Sequence, residues 1–229
     1  GQIICAGAYE QGRPVLSPTE RPLYGGTGFV YNNSALLSIS GINAGPDSIL
    51  QTGNYDLWFL LDVDGDYNNY RHGYFYPITV GDGYYKYNFD YTNDPERTQS
   101  FTFTTGSFSS FVGIYGTVTC PTYTTGNIYL YTFTKNPLTD TTARSMSQVL
   151  LTSPGVYGLP YFANDSCYVA GFWDADASGE DGGPTGPDLL GAYGVAQDGD
   201  ITAMERVHSS ALSSNNIDVE LWSPLPTRK

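Results

Sequence analysis

Tyr55-Asp56-Leu57-Trp58-Phe59-Leu60-Leu61-Asp62-Val63-Asp64-Gly65-Asp66 is the stretch on which the fold is read, because its plan returns at Tyr168-Val169-Ala170-Gly171-Phe172-Trp173-Asp174-Ala175-Asp176. Each copy is a run of apolar and aromatic side chains, suited to a pleated and buried surface, that ends in alternating aspartates. Upstream, Gly1-Gln2-Ile3-Ile4-Cys5-Ala6 matches Gly126-Asn127-Ile128-Tyr129-Leu130-Tyr131, each a Gly-polar-Ile opening into an apolar strand. Downstream, Gly73-Tyr74-Phe75 and the turn Gly81-Asp82-Gly83 line up with Gly191-Ala192-Tyr193 and Asp198-Gly199-Asp200. The order is the same in both halves, so the chain is read as one plan used twice.

Between these landmarks the residues are those of short strands and tight turns. The 20 Tyr and 11 Phe favour half-buried strands, while 27 Gly and 14 Pro supply the turns. The expected fold is all-β, two tandem antiparallel β-sandwiches. Residues 1–105 form the first, 106–222 the second, and 223–229 an extended Pro-rich tail with a basic end. In the second half, strands are expected near Val112 to Cys120, Ile128 to Thr134, Ser147 to Thr152, Cys167 to Trp173, Ala192 to Ala196 and Ile217 to Trp222. Ala203, Met204, Val207 and Leu212 have rough helical spacing, so one short helix is expected within Ile201 to Leu212. The strand Val112 to Cys120 has no counterpart ahead of residue 1, so the first sandwich is expected to lack its opening strand. An open edge of that kind needs a cover. The candidates are Ser100-Phe101-Thr102-Phe103-Thr104, Val219 to Leu225, or a strand from another molecule.

Charge narrows the partners. Ten basic residues against 23 acidic ones leave a formal charge of -13, which disfavours nucleic acid and anionic lipid. The longest apolar run, Leu57 to Leu61, falls far short of the roughly 20 residues of a membrane helix, so no membrane insertion is expected. Low Lys with abundant Tyr, Thr and Ser fits an exported protein of the cell exterior. Asn32-Asn33-Ser34 and Asn164-Asp165-Ser166 are glycosylation sequons, with Asn32 and Asn164 the acceptors.

The second half also resembles a known family. Its opening Val112-Gly113-Ile114-Tyr115-Gly116-Thr117-Val118-Thr119, the Gly126-Asn127-Ile128-Tyr129 strand, the turn Pro154-Gly155-Val156-Tyr157 and the strand Tyr168 to Asp174 with its acidic loop are similar to the carboxypeptidase-regulatory-like or transthyretin-like modules. These occur in tandem in secreted bacterial and archaeal proteins. The resemblance covers most of residues 112–222, with a partial copy over 1 to about 104. It implies extracellular Ig-like sandwiches that space, assemble or bind, often with calcium at the acidic loop.

The acidic loops carry the chemistry. In Asp62-Val63-Asp64-Gly65-Asp66-Tyr67-Asn68, alternate oxygen donors around a Gly can converge on one point, as calcium requires with its six to eight oxygen ligands. Asp62, Asp64, Asp66 and Asn68 are the expected ligands. The twelfth position of an EF-hand would fall on Gly73, so the likeness to that loop is chemical only. In the second loop Asp174, Asp176, Ser178 and either Glu180 or Asp181 are the expected ligands, with Asp188 folding back. The competing reading of each loop is a solvated acidic turn. Crowded carboxylates repel unless a cation neutralises them, which favours calcium. No Cys or His pair has the spacing of a zinc site. Cys120 and Cys167 are candidates for a disulfide that would staple two strands of the second module, against buried thiols as the alternative; Cys5, on an apolar strand, is read as a buried thiol.

Neither His72 nor His208 adjoins a nucleophile motif, and no catalytic constellation is visible, so no enzyme is expected. Two functions then remain. One is an extracellular structural subunit, stabilised by calcium, whose partners are other copies of itself. A strand donated from the tail to the open first module would link copies head-to-tail into a filament or surface layer. The other is a calcium-dependent carbohydrate- or cell-surface-binding module, in which tyrosines between Tyr67 and Tyr91 stack on a glycan.

Overall fold

The computed structural model describes residues 2–12, 22–32, 34–37, 39–41, 53–66, 78–91, 102–104, 106–179, 184–197, 199–210 and 212–224. The protein is all-β. It divides into two compact units, Gly1–Phe111 and Val112–Lys229. Among the described residues, no helix is long and apolar enough to cross a membrane.

The first unit contains β1 (Ile3–Glu10), β2 (Tyr24–Phe29), β3 (Ser40–Gly41), β4 (Gly53–Asp62), β5 (Gly83–Tyr91) and β6 (Ser109–Ser110), joined in one antiparallel sheet of order β3-β2-β1-β4-β5-β6. Strand β1 is buried from Ile3 to Tyr9, which is why it reads as a continuous apolar run rather than an alternating one. On one face Ile4, Ala6 and Ala8 meet Tyr55, Leu57 and Phe59 of β4 and Phe89 of β5. Phe103 and Phe108 pack on the same cluster, with the Phe103 ring 4.7 Å from Phe59 and 5.0 Å from Tyr85. Part of the Ser100 to Thr104 segment, one of the expected covers, therefore lies on its own unit. Strand β1 is bonded to β2 on one side and to β4 on the other, and the edges of the sheet are β3 and β6.

The second unit contains β7 (Val112–Thr119), β8 (Asn127–Phe133), β9 (Ser145–Leu151), β10 (Gly155–Tyr161), β11 (Ser166–Asp174), β12 (Leu189–Ala192), β13 (Arg206–His208), β14 (Val219–Glu220) and β15 (Ser223–Pro224). They form two sheets, β10-β7-β14 and β15-β12-β11-β8-β9, with β13 paired to β11. Ile114, Val118, Ile128, Leu130, Leu159, Val169 and Leu221 are fully buried and make the core. Strand β10 was not expected, because its Gly155 and Pro160 read as turn residues. It is an edge strand, where a missing N–H costs nothing in the ladder. The helix expected within Ile201 to Leu212 is a single 3-10 turn, Ile201–Ala203, capped by Asp200, followed by β13. Pairing of Cys167 with Val207 overrides the helical spacing, while Ile201 and Met204 cover the outer aromatic face of Tyr129 and Phe172.

The first sheet and the larger second sheet share one topology. Strands β2-β1-β4-β5-β6 correspond in order and direction to β9-β8-β11-β12-β15. In register, Asp62 faces Ile3 where Asp174 faces Asn127, so Ile4 corresponds to Ile128. The Gly-polar-Ile alignment read from the sequence is thus one residue out, a slip that would exchange the two faces of the strand.

The C-terminal segment was expected to be available to a neighbour, with an extended tail from residue 223. Instead β14 lies parallel to β7 and β15 pairs with β12, and Val219 and Leu221 are fully buried in the core of their own unit. Residues 225–229 lie outside the described residues. Two glycines make room for the segment. A Cβ at Gly116 would stand 2.0 Å from the Ile217 carbonyl oxygen, and one at Gly191 would stand 2.0 Å from that of Glu220.

Candidate metal centres

The two acidic loops follow equivalent strands, β4 and β11, and are built alike. Asp62 and Asp174 end their strands and are buried; Asp64 and Asp176 follow two residues later and are exposed. Between Asp64 and Asp66 the backbone turns through a positive φ at Gly65, and Ala177 has a positive φ at the same place in the second loop. A third carboxylate closes each cluster: Asp82 in the first and Asp188 in the second, both buried. Carboxylate oxygens of Asp62, Asp64 and Asp82 lie within 4.8 Å of one another, and so do those of Asp174, Asp176 and Asp188.

The hydrogen bonds match pair by pair. The Val63 amide donates to Asp82 Oδ1 at 3.0 Å and the Ala175 amide to Asp188 Oδ1 at 2.8 Å. Thr79 and Thr185 each hold two carboxylates. Their amides donate to Asp82 Oδ2 (2.9 Å) and Asp188 Oδ2 (2.7 Å), and their hydroxyls to Asp64 Oδ2 (2.8 Å) and Asp176 Oδ2 (2.7 Å). Each site is therefore an Asp-x-Asp at the end of one strand and a Thr-x-x-Asp at the start of the next. Asp82 was read as a hairpin turn and not as a ligand. The spacing hides it, since Val63 and Asp82 are 19 residues apart and Ala175 and Asp188 only 13. The shared Thr-x-x-Asp, Thr79-Val80-Gly81-Asp82 and Thr185-Gly186-Pro187-Asp188, is the signal that could have found it. It also corrects the downstream repeat: Asp82 corresponds to Asp188, not to the turn at Asp198 to Asp200.

Of the expected ligands, Asp62 and Asp64 gather at the first site, with Asp66 beside them and its amide donating to Asp64, and Asp174, Asp176 and Asp188 gather at the second, where Ser178 donates to Asp174. Asn68, Glu180 and Asp181 lie outside the described residues. The donors are all oxygen, which suits a hard divalent cation and excludes a thiolate or imidazole site. Asp62 Oδ2 and Asp66 Oδ1 are buried with no hydrogen-bond donor among the described residues, an arrangement that a nearby cation would relieve.

The electrostatics agree with that fit. Burial, and then the charges of Asp64, Asp82 and Asp62, push the Asp66 carboxyl up to about 6. Burial also raises Asp82, against the amides of Thr79 and Val63, whereas the Thr79 hydroxyl holds Asp64 below its ordinary value. A carboxyl raised in the folded state binds more protons there than in the unfolded chain, so it lowers stability as pH rises through the interval between the two pKa values. Between pH 5 and 7 the cation-free protein is therefore expected to melt higher at the acid end, and Asp66→Asn to flatten that slope. Melting in chelator at pH 5, 6 and 7 checks this; a wild-type slope of the opposite sign would remove charge crowding as its cause.

The expected disulfide does not form. Cys120 and Cys167 are buried thiols that are not bonded to each other, and Cys5 is buried on β1. Cys120 follows β7 at the end of the sandwich where Tyr123 packs on Trp173, 5.7 Å between rings, while Cys167 begins β11 opposite Val207. Six residues of extended strand, roughly 20 Å, lie between Cys167 and Trp173, far beyond what a disulfide spans. Burial raises both thiols, Cys167 to about 12, so neither is a nucleophile. The sequon residues Asn32 and Asn164 are both exposed turn residues with positive φ.

No protein-family model matches the chain, and no curated protein matches it. A search of solved structures finds a protein described as a "putative cell adhesion protein" from Bacteroides fragilis NCTC 9343, at 14% identity and a TM-score of 0.29, covering 100% of this chain and 87% of that one. Similarity at that level establishes neither the fold nor the function of this chain.

Proposed function

We propose that this chain is a non-enzymatic structural protein of the cell exterior, built from Ig-like β-units that bind calcium at their loop ends and associate at the cell surface. The observation that carries the reading is the twice-built carboxylate cluster. The same three aspartates and one threonine recur at equivalent strand ends, on loops of different length, so the arrangement follows the site and not the loop. Three acid groups at each site, with a buried oxygen unpartnered among the described residues at the first, suit calcium of the exterior, where modules bind with Kd of about 10⁻⁴–10⁻³ M. Low Lys content and exposed sequon asparagines agree with that location, and glycosylation of Asn32 and Asn164 is part of the proposal.

Self-association is the preferred role, supported by exposed apolar side chains within one short stretch of the first unit: Phe29 at 66%, Tyr31 at 76% and Leu36 at 93% exposure. Donation of the 219–224 strand is not part of the reading, because that strand belongs to its own unit. The second reading, a calcium-dependent module binding glycan or another surface protein, uses the same metal sites and differs in what it contacts. Light scattering of the purified chain in millimolar calcium and in chelator separates the two. Calcium-dependent oligomers are expected, and Leu36→Asp with Tyr31→Asp should reduce them to monomers. A chain that binds calcium, stays monomeric at high concentration and retains a glycan on an array would overturn self-association in favour of the binding module.

A further inference from the structure

The two metal sites share a skeleton but differ in how much of the cation's work the protein already does. In the second site every carboxylate oxygen has a protein donor. Asp174 Oδ1 accepts from the Ser178 amide at 3.0 Å and from its hydroxyl at 3.5 Å, and Oδ2 accepts from the Gly179 amide at 3.1 Å. Asp176 accepts from the Ser178 amide and the Thr185 hydroxyl. Asp188 accepts from the amides of Ala175 and Thr185. Asp174 and Asp188 are fully buried, yet nothing in the site is left to satisfy.

In the first site the account does not close. Asp62 is 93% buried; its Oδ1 accepts from the Gly65 amide at 2.7 Å, while Oδ2 has no partner among the described residues. Where the second loop has Ser178, whose hydroxyl is a donor, the first has Asp66, which adds a fourth carboxylate and a second buried oxygen without a donor. A buried carboxylate oxygen with neither donor nor counter-ion is costly, and one cation placed among Asp62, Asp64 and Asp82 would satisfy Asp62 Oδ2, with the charge of Asp66 beside them. Among the described residues charge acts in the same direction, since Asp66 stands where the second loop has Ser178 and affinity for calcium rises with the negative charge of the site.

We infer that the sites are graded: the site of Asp62, Asp64 and Asp82, with Asp66 beside it, binds calcium tightly, the site of Asp174, Asp176 and Asp188 binds it weakly, and the residue at the third loop position sets the difference. This rests on the calcium reading above and adds an order of filling to it. The first unit is metal-loaded at calcium concentrations where the second stands on its own hydrogen bonds, so a change of external calcium over the weak range is sensed by the second unit alone.

Titration calorimetry of the full chain, stripped with chelator and titrated with calcium chloride, tests this. Two classes of site differing at least tenfold in Kd are expected. Asp66→Ser should abolish the tight class, and Ser178→Asp should tighten the weak class about tenfold; a gain of affinity cannot come from misfolding. Two equal sites, or a tight class that survives Asp66→Ser in a folded variant, would overturn the grading and leave the calcium reading intact. No heat of binding from either site would overturn both.

Discussion

Removing calcium is expected to lower the melting temperature by on the order of 10 °C. A ligand that binds only the folded state at a tenfold excess over its Kd stabilises by about 1.4 kcal/mol, and a unit of this size shifts by about 4–8 °C per kcal/mol. The effect is large because of what the cation relieves. Asp62 and Asp82 are buried beside Asp64 and Asp66, and the turn that carries them also anchors the end of the unit. The Gly81 amide donates to the Phe111 carbonyl and the Phe111 amide to that of Asp82, while the Phe111 ring stacks on Tyr84, 4.5 Å between centroids. Repulsion among the acids thus strains the closing strand as well as the loop. Scanning calorimetry with millimolar calcium, magnesium or chelator is the measurement. Equal melting temperatures in all three would refute a cation site, and equal stabilisation by magnesium would refute selectivity for calcium, which accommodates more ligands in a less regular shell.

The second large effect is expected from Gly116→Ala. Its new Cβ would meet backbone, the Ile217 carbonyl oxygen at 2.0 Å, and backbone cannot swing aside as a flexible side chain can. Relief requires the 217–221 segment to lift from β7. That exposes Ile217, Val219 and Leu221, each contributing about 1.5–3 kcal/mol by its burial. The variant should lose about 3 kcal/mol or more, seen as a drop in the urea midpoint of the second unit. Deleting residues 219–229 should act the same way and more strongly, giving a second unit that is digested readily by protease. A deletion that leaves both units fully stable and removes only self-association would reinstate the tail as a strand donated between molecules.

These two cases show where local sequence was sufficient. Strands β1 and β4 were legible because both of their faces are largely buried, so each appears as an unbroken apolar run, and β8 and β11 because their half-buried face is also apolar or aromatic. The aspartates that follow β4 and β11 were legible for the same reason, since alternating acids at a strand end have few physical uses. Strand β10 was not, because its Gly and Pro are tolerated only by its position at a sheet edge. The helical spacing at Ala203, Met204 and Val207 misled because pairing with β11 outweighs a weak propensity.

What the sequence by itself determined is the all-β class, the use of one plan twice, and the first two acids of each site, all of which depend on residues close together in the chain. Tertiary structure alone decided the third acid of the first site, Asp82, whereas Asp188 was already expected to fold back onto the second; it also decided the register, the thiols and the fate of the C-terminal segment. Asp82 and Asp188 reach their sites from the start of the next strand, across loops of unequal length. Strand register is a pairing between distant segments, in which a slip of one residue exchanges the faces. Cys120 and Cys167 are kept apart because their strands place them at opposite ends of the sandwich. The 217–224 segment is held by the absence of side chains at Gly116 and Gly191, a property that has meaning only once another strand lies against them.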